Sequence, residues 1–219
     1  MTYRLAIFDL DGTVLDTLDD LADAANAALV LGGYPTRTKE EICAFVGDGI
    51  KKLIERALPD RSGDGEIARV LKLFVDYYGV HCAEKTRPYE GIREMLADLR
   101  AKGVKTAVLS NKANFATQAL AKTYFDGLFD AVAGERESEG IPKKPAPDGV
   151  WLLLRACGVA ANEAVYIGDS EVDVLTAKNA GLDAVLVSWG FRTREVLLES
   201  GAKVIVDTPE ELEALLLGD

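Results

Sequence analysis

Short apolar runs alternate with amphipathic segments along most of the chain. The apolar runs are rich in β-branched residues, which is typical of strands, and the segments between them repeat apolar residues with a helical period. Continuous apolar strands separated by helices predict a parallel sheet that is covered on both faces. The predicted strands are Leu5–Phe8, Lys105–Leu109, Ala131–Ala133, Ala164–Ile167, Ala184–Val187 and Val204–Val206, and predicted core helices include Gly91–Lys102, Pro147–Cys157 and Pro209–Leu217.

The alternation is interrupted once, after the first strand. From Thr17 to about Lys85 only helical patterns occur, with apolar stripes at 18–29, 50–58 and 67–78. We therefore predict an α/β fold in which a Rossmann-like parallel sheet forms the core and an all-helical cap domain is inserted into it. The predicted core comprises 1–16 and 86–219, and the predicted cap comprises 17–85.

The formal net charge of −11 makes nucleic acid and anionic membrane surfaces poor partners for this chain. The same charge repels a phosphate, so a phosphate site would need a local cation. The three cysteines, Cys43, Cys82 and Cys157, form no CxxC pair, which favours a reducing compartment over a disulfide framework. Neither a signal peptide nor an apolar run long enough to cross a bilayer is found, so we expect a cytoplasmic location.

Four polar clusters carry the candidate chemistry. Three follow predicted strands, and the third in chain order lies in a loop between a strand and a helix. Ligands of open parallel sheets bind at the carboxyl ends of strands, so we expect the clusters to meet there. They are Asp9-Leu10-Asp11-Gly12-Thr13, Ser110-Asn111-Lys112, Lys143-Lys144-Pro145 and Gly168-Asp169-Ser170-Glu171-Val172-Asp173.

Together these side chains can bind a metal and a phosphate. Mg²⁺ prefers hard oxygen ligands, which Asp9 and Asp169 can supply. A carboxylate nucleophile, Asp9, would form an aspartyl-phosphate, and Asp11 could protonate the leaving oxygen and later deprotonate water. Lys144, Ser110 and nearby backbone amides could hold the phosphoryl oxygens. The sequence therefore predicts a magnesium-dependent phosphatase that acts on a small phosphorylated metabolite.

Each cluster alone also has a plain structural interpretation. A pair of carboxylates after a strand is often a turn or helix cap, and Ser110-Asn111 could begin a helix. Lys143 and Lys144 could be solvated surface charges, and Asp173 could stabilise a helix N-terminus. The prediction depends on all four clusters occurring in this order at strand ends.

The four clusters resemble the signature motifs of the haloacid dehalogenase superfamily, and the resemblance covers essentially the whole chain. It implies a nucleophile at Asp9, an acid/base residue at Asp11, and a phosphate-binding hydroxyl and lysine at Ser110 and Lys144. It also implies a metal site made by Asp9, the main-chain oxygen of Asp11, and Asp169. Asp173 would steady the water molecules of the metal, or Lys144, without binding the metal itself.

Within that superfamily the chain resembles phosphoglycolate phosphatases, which implies 2-phosphoglycolate as the first candidate substrate. The segments that carry this resemblance are 16–21, 46–49, 87–91 and 110–112. The candidate substrate-binding residues are Gly12, Thr13 and Asn111 in the core, and Gly47 and Gly49 in the insertion. Basic residues after that glycine pair could meet a substrate carboxylate, and either Lys112 or Lys143 could meet the phosphate.

Several alternatives stay open from the sequence. A pyrophosphatase and a sugar-phosphate phosphatase or phosphomutase share these motifs, although the start of the insertion lacks the histidine and tryptophan expected of the mutase. A dehalogenase would not need an acid at Asp11, because a halide leaves without a proton, so the presence of Asp11 favours a phosphatase. From another class, the chain could be a catalytically silent binding protein, since a fold alone does not define a function. We expect a monomer or a homodimer.

Overall fold

The computed structural model describes residues 3–60 and 62–218 of the chain. The strands are β1 (Leu5–Phe8), β2 (Leu15–Asp16), β3 (Arg87–Pro88), β4 (Lys105–Ala113), β5 (Ala131–Glu135), β6 (Ala164–Gly168), β7 (Asp183–Val187) and β8 (Ile205–Val206). The helices are α1 (Leu18–Gly32), α2 (Lys39–Phe45), α3 (Ile50–Ala57), α4 (Asp64–His81), α5 (Ile92–Ala101), α6 (Asn114–Phe125), α7 (Asp148–Cys157), α8 (Glu171–Ala180), α9 (Arg194–Glu199) and α10 (Pro209–Leu217).

Six strands form one parallel sheet in the order β5-β4-β1-β6-β7-β8. Strand β1 lies between β4 and β6, so that Phe8 is opposite Val108 on one side and Ile167 on the other. The chain order reverses direction at β1, which creates the crevice where ligands bind in such sheets. The predicted α/β class with a Rossmann-like parallel sheet is confirmed.

The sheet is stabilised by apolar burial on its faces. All four residues of β1 are fully buried, as is Tyr166 of β6. Leu5 and Ile7 belong to one cluster with Val150 and Leu153 of α7. Each such side chain contributes roughly 1.5–3 kcal/mol when it is fully removed from water. This packing fixes the strand ends from which the polar clusters emerge.

The chain divides into two compact units, one of Met1–Leu15 with Pro88–Asp219 and one of Asp16–Arg87. These bounds differ by one or two residues from the predicted 1–16 with 86–219 and 17–85. The role of the smaller unit as a cap stays a prediction.

The smaller unit is built from α1 to α4 around its own apolar cluster, which includes Leu21, Leu29, Ile54 and Phe74. Helix α2 has no clear apolar stripe in the sequence because it is only seven residues long and buries only Ile42. Its start is instead fixed by a capping box.

Strand β4 is longer than the sequence predicts. Strand β4 continues beyond the predicted end at Leu109 to Ala113, which pairs with Glu135 of β5, and its polar residues from Ser110 to Lys112 are buried. Hydropathy cannot identify polar residues that are buried by a functional site. Among the described residues, no helix combines the length and hydropathy needed to cross a bilayer.

Candidate active site

The carboxyl ends of three neighbouring strands bring three of the polar clusters together. Asp9 directly follows the central strand β1, Ser110 lies near the end of β4, and Asp169 directly follows β6. All three residues are buried, with 8%, 3% and 2% of their surface exposed. Polar residues are seldom buried to this extent unless they are hydrogen-bonded or functional. The interpretation of Ser110 as a helix cap is wrong, because α6 begins only at Asn114.

Asp9 has one occupied and one available carboxylate oxygen. Its Oδ1 accepts a hydrogen bond from the backbone nitrogen of Leu10 at 2.7 Å and lies 2.9 Å from Nζ of Lys144. Within residues 3–60 and 62–218, no donor is found for Oδ2. The carboxylate is therefore held by one oxygen and keeps the other for a ligand or a reaction.

Lys144 connects Asp9 to Asp173. Its Nζ lies 2.9 Å from Oδ1 of Asp9 and 2.8 Å from Oδ1 of Asp173, and the residue is only 4% exposed. Burial lowers its pKa, but the two carboxylates outweigh this and hold the pKa well above the usual range. The ammonium group is thus charged at neutral pH. Lys143 instead lies 3.7 Å from Glu137, so of the two lysines it is Lys144 that enters the pocket at the carboxyl ends of the strands.

The loop that carries Lys144 is anchored to β4 by Asn111. The side-chain amide of Asn111 donates to the Lys144 carbonyl at 3.0 Å, and its oxygen accepts from the Lys144 backbone nitrogen at 2.8 Å. Asn111, a candidate substrate-binding residue, therefore has a clear structural contact in this unit. Its direct contact with substrate stays a prediction.

Asp169 is enclosed by the first loop and by a segment after β7. Its Oδ1 accepts from Oγ1 of Thr13 at 3.3 Å, and its Oδ2 accepts from the backbone nitrogen of Phe191 at 2.7 Å. Gly12 has a φ of 82°, and a Cβ there would lie 2.3 Å from Oδ2 of Asp169. Only glycine permits this approach. Gly12 and Thr13 thus shape the surroundings of Asp169.

Asp173 uses both carboxylate oxygens within the protein. Oδ1 accepts from Lys144 at 2.8 Å and from Tyr166 at 3.3 Å. Oδ2 accepts from Oγ of Ser170 at 2.6 Å and from the backbone nitrogens of Ser170 and Asp169 at 3.1 and 3.2 Å. These contacts fit a residue that supports Lys144 and Asp169 better than one that binds a metal directly.

The acidic residues of the pocket fit a divalent cation. One oxygen from each of Asp9, Asp169 and Asp173 lies within 4.8 Å of the others. When all three carboxyl groups are ionised, the ammonium group of Lys144 leaves two negative charges uncompensated among these buried residues. Hard carboxylate oxygens are the ligands that Mg²⁺ prefers. Asp9 and Asp169 therefore offer ligands that suit this ion, and the Asp173 carboxylate adds to the negative charge that attracts it.

Burial perturbs these carboxyl groups more than their neighbouring charges do. Burial raises the pKa of Asp9 to about 7, with Lys144 opposing the shift and Asp173 adding to it. Burial, followed by the Asp173 and Asp9 carboxylates, also raises the pKa of Asp169 well above its ordinary value. A cation between these groups would favour their charged forms.

Asp11 is paired with a lysine that sequence reasoning did not assign. Nζ of Lys112 lies 2.8 Å from Oδ1 and 2.9 Å from Oδ2 of Asp11. The Lys112 side chain is 3% exposed and that of Asp11 is 14% exposed. The pocket therefore contains two separate lysine–carboxylate groups, one around Asp9 and one at Asp11.

Sequence reasoning also missed the segment from Trp189 to Phe191. The Trp189 indole nitrogen donates to the Thr13 carbonyl at 3.0 Å. A Cβ on Gly190 would lie 2.3 Å from Cβ of Asp169 and 2.5 Å from the carbonyl oxygen of Gly12. The only signal in the sequence was a glycine between two aromatic residues just after a strand.

Two candidate substrate-binding residues belong to the other unit. Gly47 and Gly49 have φ values of 129° and 87° on either side of Asp48. The Asp48 carboxylate accepts from Arg56 at 2.5 Å, and Arg56 also donates to the Phe45 carbonyl at 2.9 Å. This loop is therefore fixed to helix α3, and its role in substrate binding stays a prediction.

Comparison with known proteins agrees with this fold. The family model for haloacid dehalogenase-like hydrolases matches residues 6–187. A phosphoglycolate phosphatase of Chromobacterium violaceum is 35% identical over 218 residues, which cover 97% of this chain and 96% of that protein. A crystal structure assigned to a phosphoglycolate phosphatase of Lactobacillus delbrueckii subsp. bulgaricus covers 100% of both chains with 41% identity and a TM-score of 0.95. CbbY of Rhodobacter sphaeroides, solved in complex with phosphate, covers 96% of each chain with 26% identity and a TM-score of 0.74.

The parallel sheet, the strand-end carboxylates and these relatives define a hydrolase of the phosphatase class, as the sequence predicts. The chain belongs to the haloacid dehalogenase-like hydrolase family. Phosphatases of this family generally use Mg²⁺.

Proposed function

We propose that this chain is a Mg²⁺-dependent phosphatase that hydrolyses a small phosphate monoester through an aspartyl-phosphate on Asp9. The observation that carries the proposal is the contact of Lys144 with both Asp9 and Asp173, beside an oxygen of Asp169 within 4.8 Å. This arrangement combines a nucleophile, a fixed positive charge and an incomplete set of metal ligands.

The proposed metal ligands are Asp9, the main-chain oxygen of Asp11, and Asp169. When bound, Mg²⁺ would offset the repulsion between the Asp9 carboxylate and the phosphate. Lys144 would bind phosphoryl oxygens beside Asp9, and the Ser110 hydroxyl would do so from the end of β4. Asp173 would keep Lys144 and the backbone of Asp169 in place.

The reaction proceeds in two displacements in this proposal. First, a carboxylate oxygen of Asp9 bonds to phosphorus while the ester bond breaks, and Asp11 gives its proton to the leaving oxygen. Water then attacks the phosphorus of the aspartyl-phosphate, and Asp11 accepts a proton from it. The bond between phosphorus and Asp9 breaks, which releases inorganic phosphate and restores the carboxylate.

The first candidate substrate is 2-phosphoglycolate, which is supported by the relatives that carry this activity in their names. We propose that the helical unit is a cap that selects the leaving group, with Gly47 and Gly49 in its substrate loop. Among the basic residues of α3, Arg56 is paired with Asp48 and Lys52 with Glu55. Lys51 is thus the residue of this helix that we propose for a substrate carboxylate.

The test is phosphate release by the full chain from 2-phosphoglycolate, sugar phosphates, pyrophosphate and an aryl phosphate, with Mg²⁺ or with EDTA. We expect Mg²⁺-dependent turnover, with 2-phosphoglycolate preferred. Asp9→Asn should lower kcat by about 10⁴-fold or more while the fold is kept. Equal activity of wild type and Asp9→Asn would sink the covalent route, and preference for another compound would replace the substrate.

A further inference from the structure

A second buried ammonium group lies in the pocket beside the proposed acid/base residue. Lys112 is 5% exposed, and its Nζ contacts both carboxylate oxygens of Asp11, at 2.8 and 2.9 Å. Lysine is almost never buried so completely unless it is paired, because removal of its charge from water is costly. Burial of the Lys112 ammonium group therefore costs free energy, which a functional role would explain.

Hydrogen bonds hold the backbone at or next to both partners. The backbone nitrogen of Lys112 donates to Oγ of Ser110 at 3.2 Å, and the Lys112 carbonyl accepts from Oγ1 of Thr117 at 3.2 Å. On the other side, the backbone nitrogen of Gly12, next to Asp11, donates to the Leu15 carbonyl at 2.8 Å. A side chain that joins two fixed backbones can restrict the orientation of a carboxyl group.

We propose that Lys112 is a positioning residue for Asp11 and acts on the reaction through it. The ammonium group contacts both carboxylate oxygens, which fixes the side-chain torsions of Asp11 before a substrate enters, and one of the two contacts opens when Asp11 takes up the proton that it gives to the leaving oxygen. A proton-transfer group is effective only from a well-oriented geometry. This inference rests on the proposed function, in which Asp11 transfers the proton of the leaving oxygen.

The geometry distinguishes Lys112 from Lys144. Lys144 contacts the nucleophile Asp9, whereas the carboxylate that Lys112 contacts at hydrogen-bonding distance is Asp11. A lysine that binds the phosphate directly would affect substrate affinity. A lysine that acts through Asp11 would affect turnover, and only while Asp11 can transfer a proton.

The test is a double-mutant cycle of Lys112→Met and Asp11→Asn, measured at saturating Mg²⁺ on 2-phosphoglycolate and on an aryl phosphate. We expect Lys112→Met to lower kcat on the alkyl ester about 10- to 100-fold, with a smaller loss on the aryl ester. KM should stay within about threefold of the wild-type value. In the Asp11→Asn background, Lys112→Met should cause no further loss.

Three further variants make the cycle interpretable. Lys112→Arg should recover part of kcat, because a guanidinium group also contacts both oxygens of a carboxylate. Lys122→Met, which removes an exposed lysine of α6, should match the wild type. Lys112→Gln keeps a polar side chain and replaces Lys112→Met in the cycle if the methionine variant does not fold in a thermal-melting measurement.

Three results would overturn the inference: a loss that is equally large in the Asp11→Asn background, a raised KM with normal kcat, or no effect of Lys112→Met at all. The first would indicate a role independent of Asp11, and the second would indicate direct substrate binding. Absence of phosphatase activity in the wild-type chain would instead refute the proposed function. An active wild type with an unaffected Lys112→Met variant would refute only the role of Lys112.

Discussion

The ammonium nitrogen of Lys144 lies 2.9 Å from Oδ1 of Asp9, the carboxylate oxygen that also accepts from the backbone of Leu10. The proposed nucleophile is therefore held by one oxygen before any ligand arrives. Because Lys144 and Asp9 are both buried, water screens the interaction between their charges poorly. Activity, stability and metal binding should consequently depend on the same few groups.

Replacement of Lys144 should strongly destabilise the metal-free protein. Lys144→Met leaves Asp9 and Asp173 buried without their cation, and loss of one partner of a buried ion pair typically costs about 3–5 kcal/mol. Mg²⁺ should restore part of this loss. The measurement is the free energy of unfolding by urea, with EDTA and with Mg²⁺.

Lys143→Met is the matched control, because Lys143 lies 3.7 Å from Glu137 and its side chain is 30% exposed. A partly exposed pair contributes about 1 kcal/mol at most. Equal destabilisation by the two substitutions would contradict the assignment of Lys144 to the buried charge network.

Asp11→Asn should slow turnover according to the leaving group. The amide cannot donate an acidic proton, so kcat for an alkyl phosphate should fall about 10²- to 10⁴-fold. An aryl phosphate should lose less, because its leaving oxygen is stable without a proton. The measurement is kcat over a series of leaving groups, and a loss of the same size for all of them would exclude the acid role.

The stability of the metal-free protein should depend on pH through Asp9. Burial raises the pKa of Asp9 from 3.8 to about 7, so the folded state binds this proton more tightly than the unfolded chain does. The stabilising contribution is then fully present below about 3.8 and is lost as the pH rises through about 7. Stabilisation by Mg²⁺ should grow over the same interval, because metal and proton compete for the carboxylate.

Thermal melting in EDTA, compared with Asp9→Asn, isolates this effect. The melting temperature of the wild type minus that of Asp9→Asn should decrease as the pH rises from about 4 to above 7. A difference that stays constant over this interval would show that Asp9 does not titrate there.

Gly190→Ala should weaken metal binding without direct contact with the metal. The added Cβ would lie 2.3 Å from Cβ of Asp169 and 2.5 Å from the Gly12 carbonyl, so Asp169 has to move. Mutation of the residues that position a metal ligand typically lowers metal affinity about 10- to 100-fold. Isothermal titration calorimetry with Mg²⁺ measures this change in affinity. Excess Mg²⁺ should recover much of the turnover of Gly190→Ala.

Gly79→Ala serves as the control, since a Cβ at that position of α4 meets no atom within 4 Å. Its Mg²⁺ affinity should equal that of the wild type. An unchanged affinity in Gly190→Ala would mean that Asp169 adjusts freely or is not a metal ligand.

The sheet could be predicted from the sequence because its strands are continuous apolar runs with regular helices between them. The same logic placed Asp9 and Asp169 at one edge, since both follow central strands. It failed at Ser110 to Lys112, which are polar yet belong to β4, because burial there depends on partners from distant parts of the chain.

The pairing of Lys112 with Asp11 could not be derived from spacing alone. The sequence left both Lys112 and Lys143 as candidates for the phosphate, and only tertiary structure shows that Lys112 contacts a carboxylate while Lys143 lies near Glu137. The segment around Gly190 was missed for a related reason. Its contribution is a backbone nitrogen and the absence of a side chain, which no motif of charged residues reveals.

The reciprocal hydrogen bonds between the Asn111 amide and the backbone of Lys144 have an evolutionary consequence. They clamp the chain at the lysine itself, so the preceding stretch, 136–143, need not hold its own shape to deliver the charge. Insertions or substitutions in that stretch should be tolerated among descendants of this chain. A change at Asn111 would instead shift Lys144 and so disturb its contact with the proposed nucleophile Asp9.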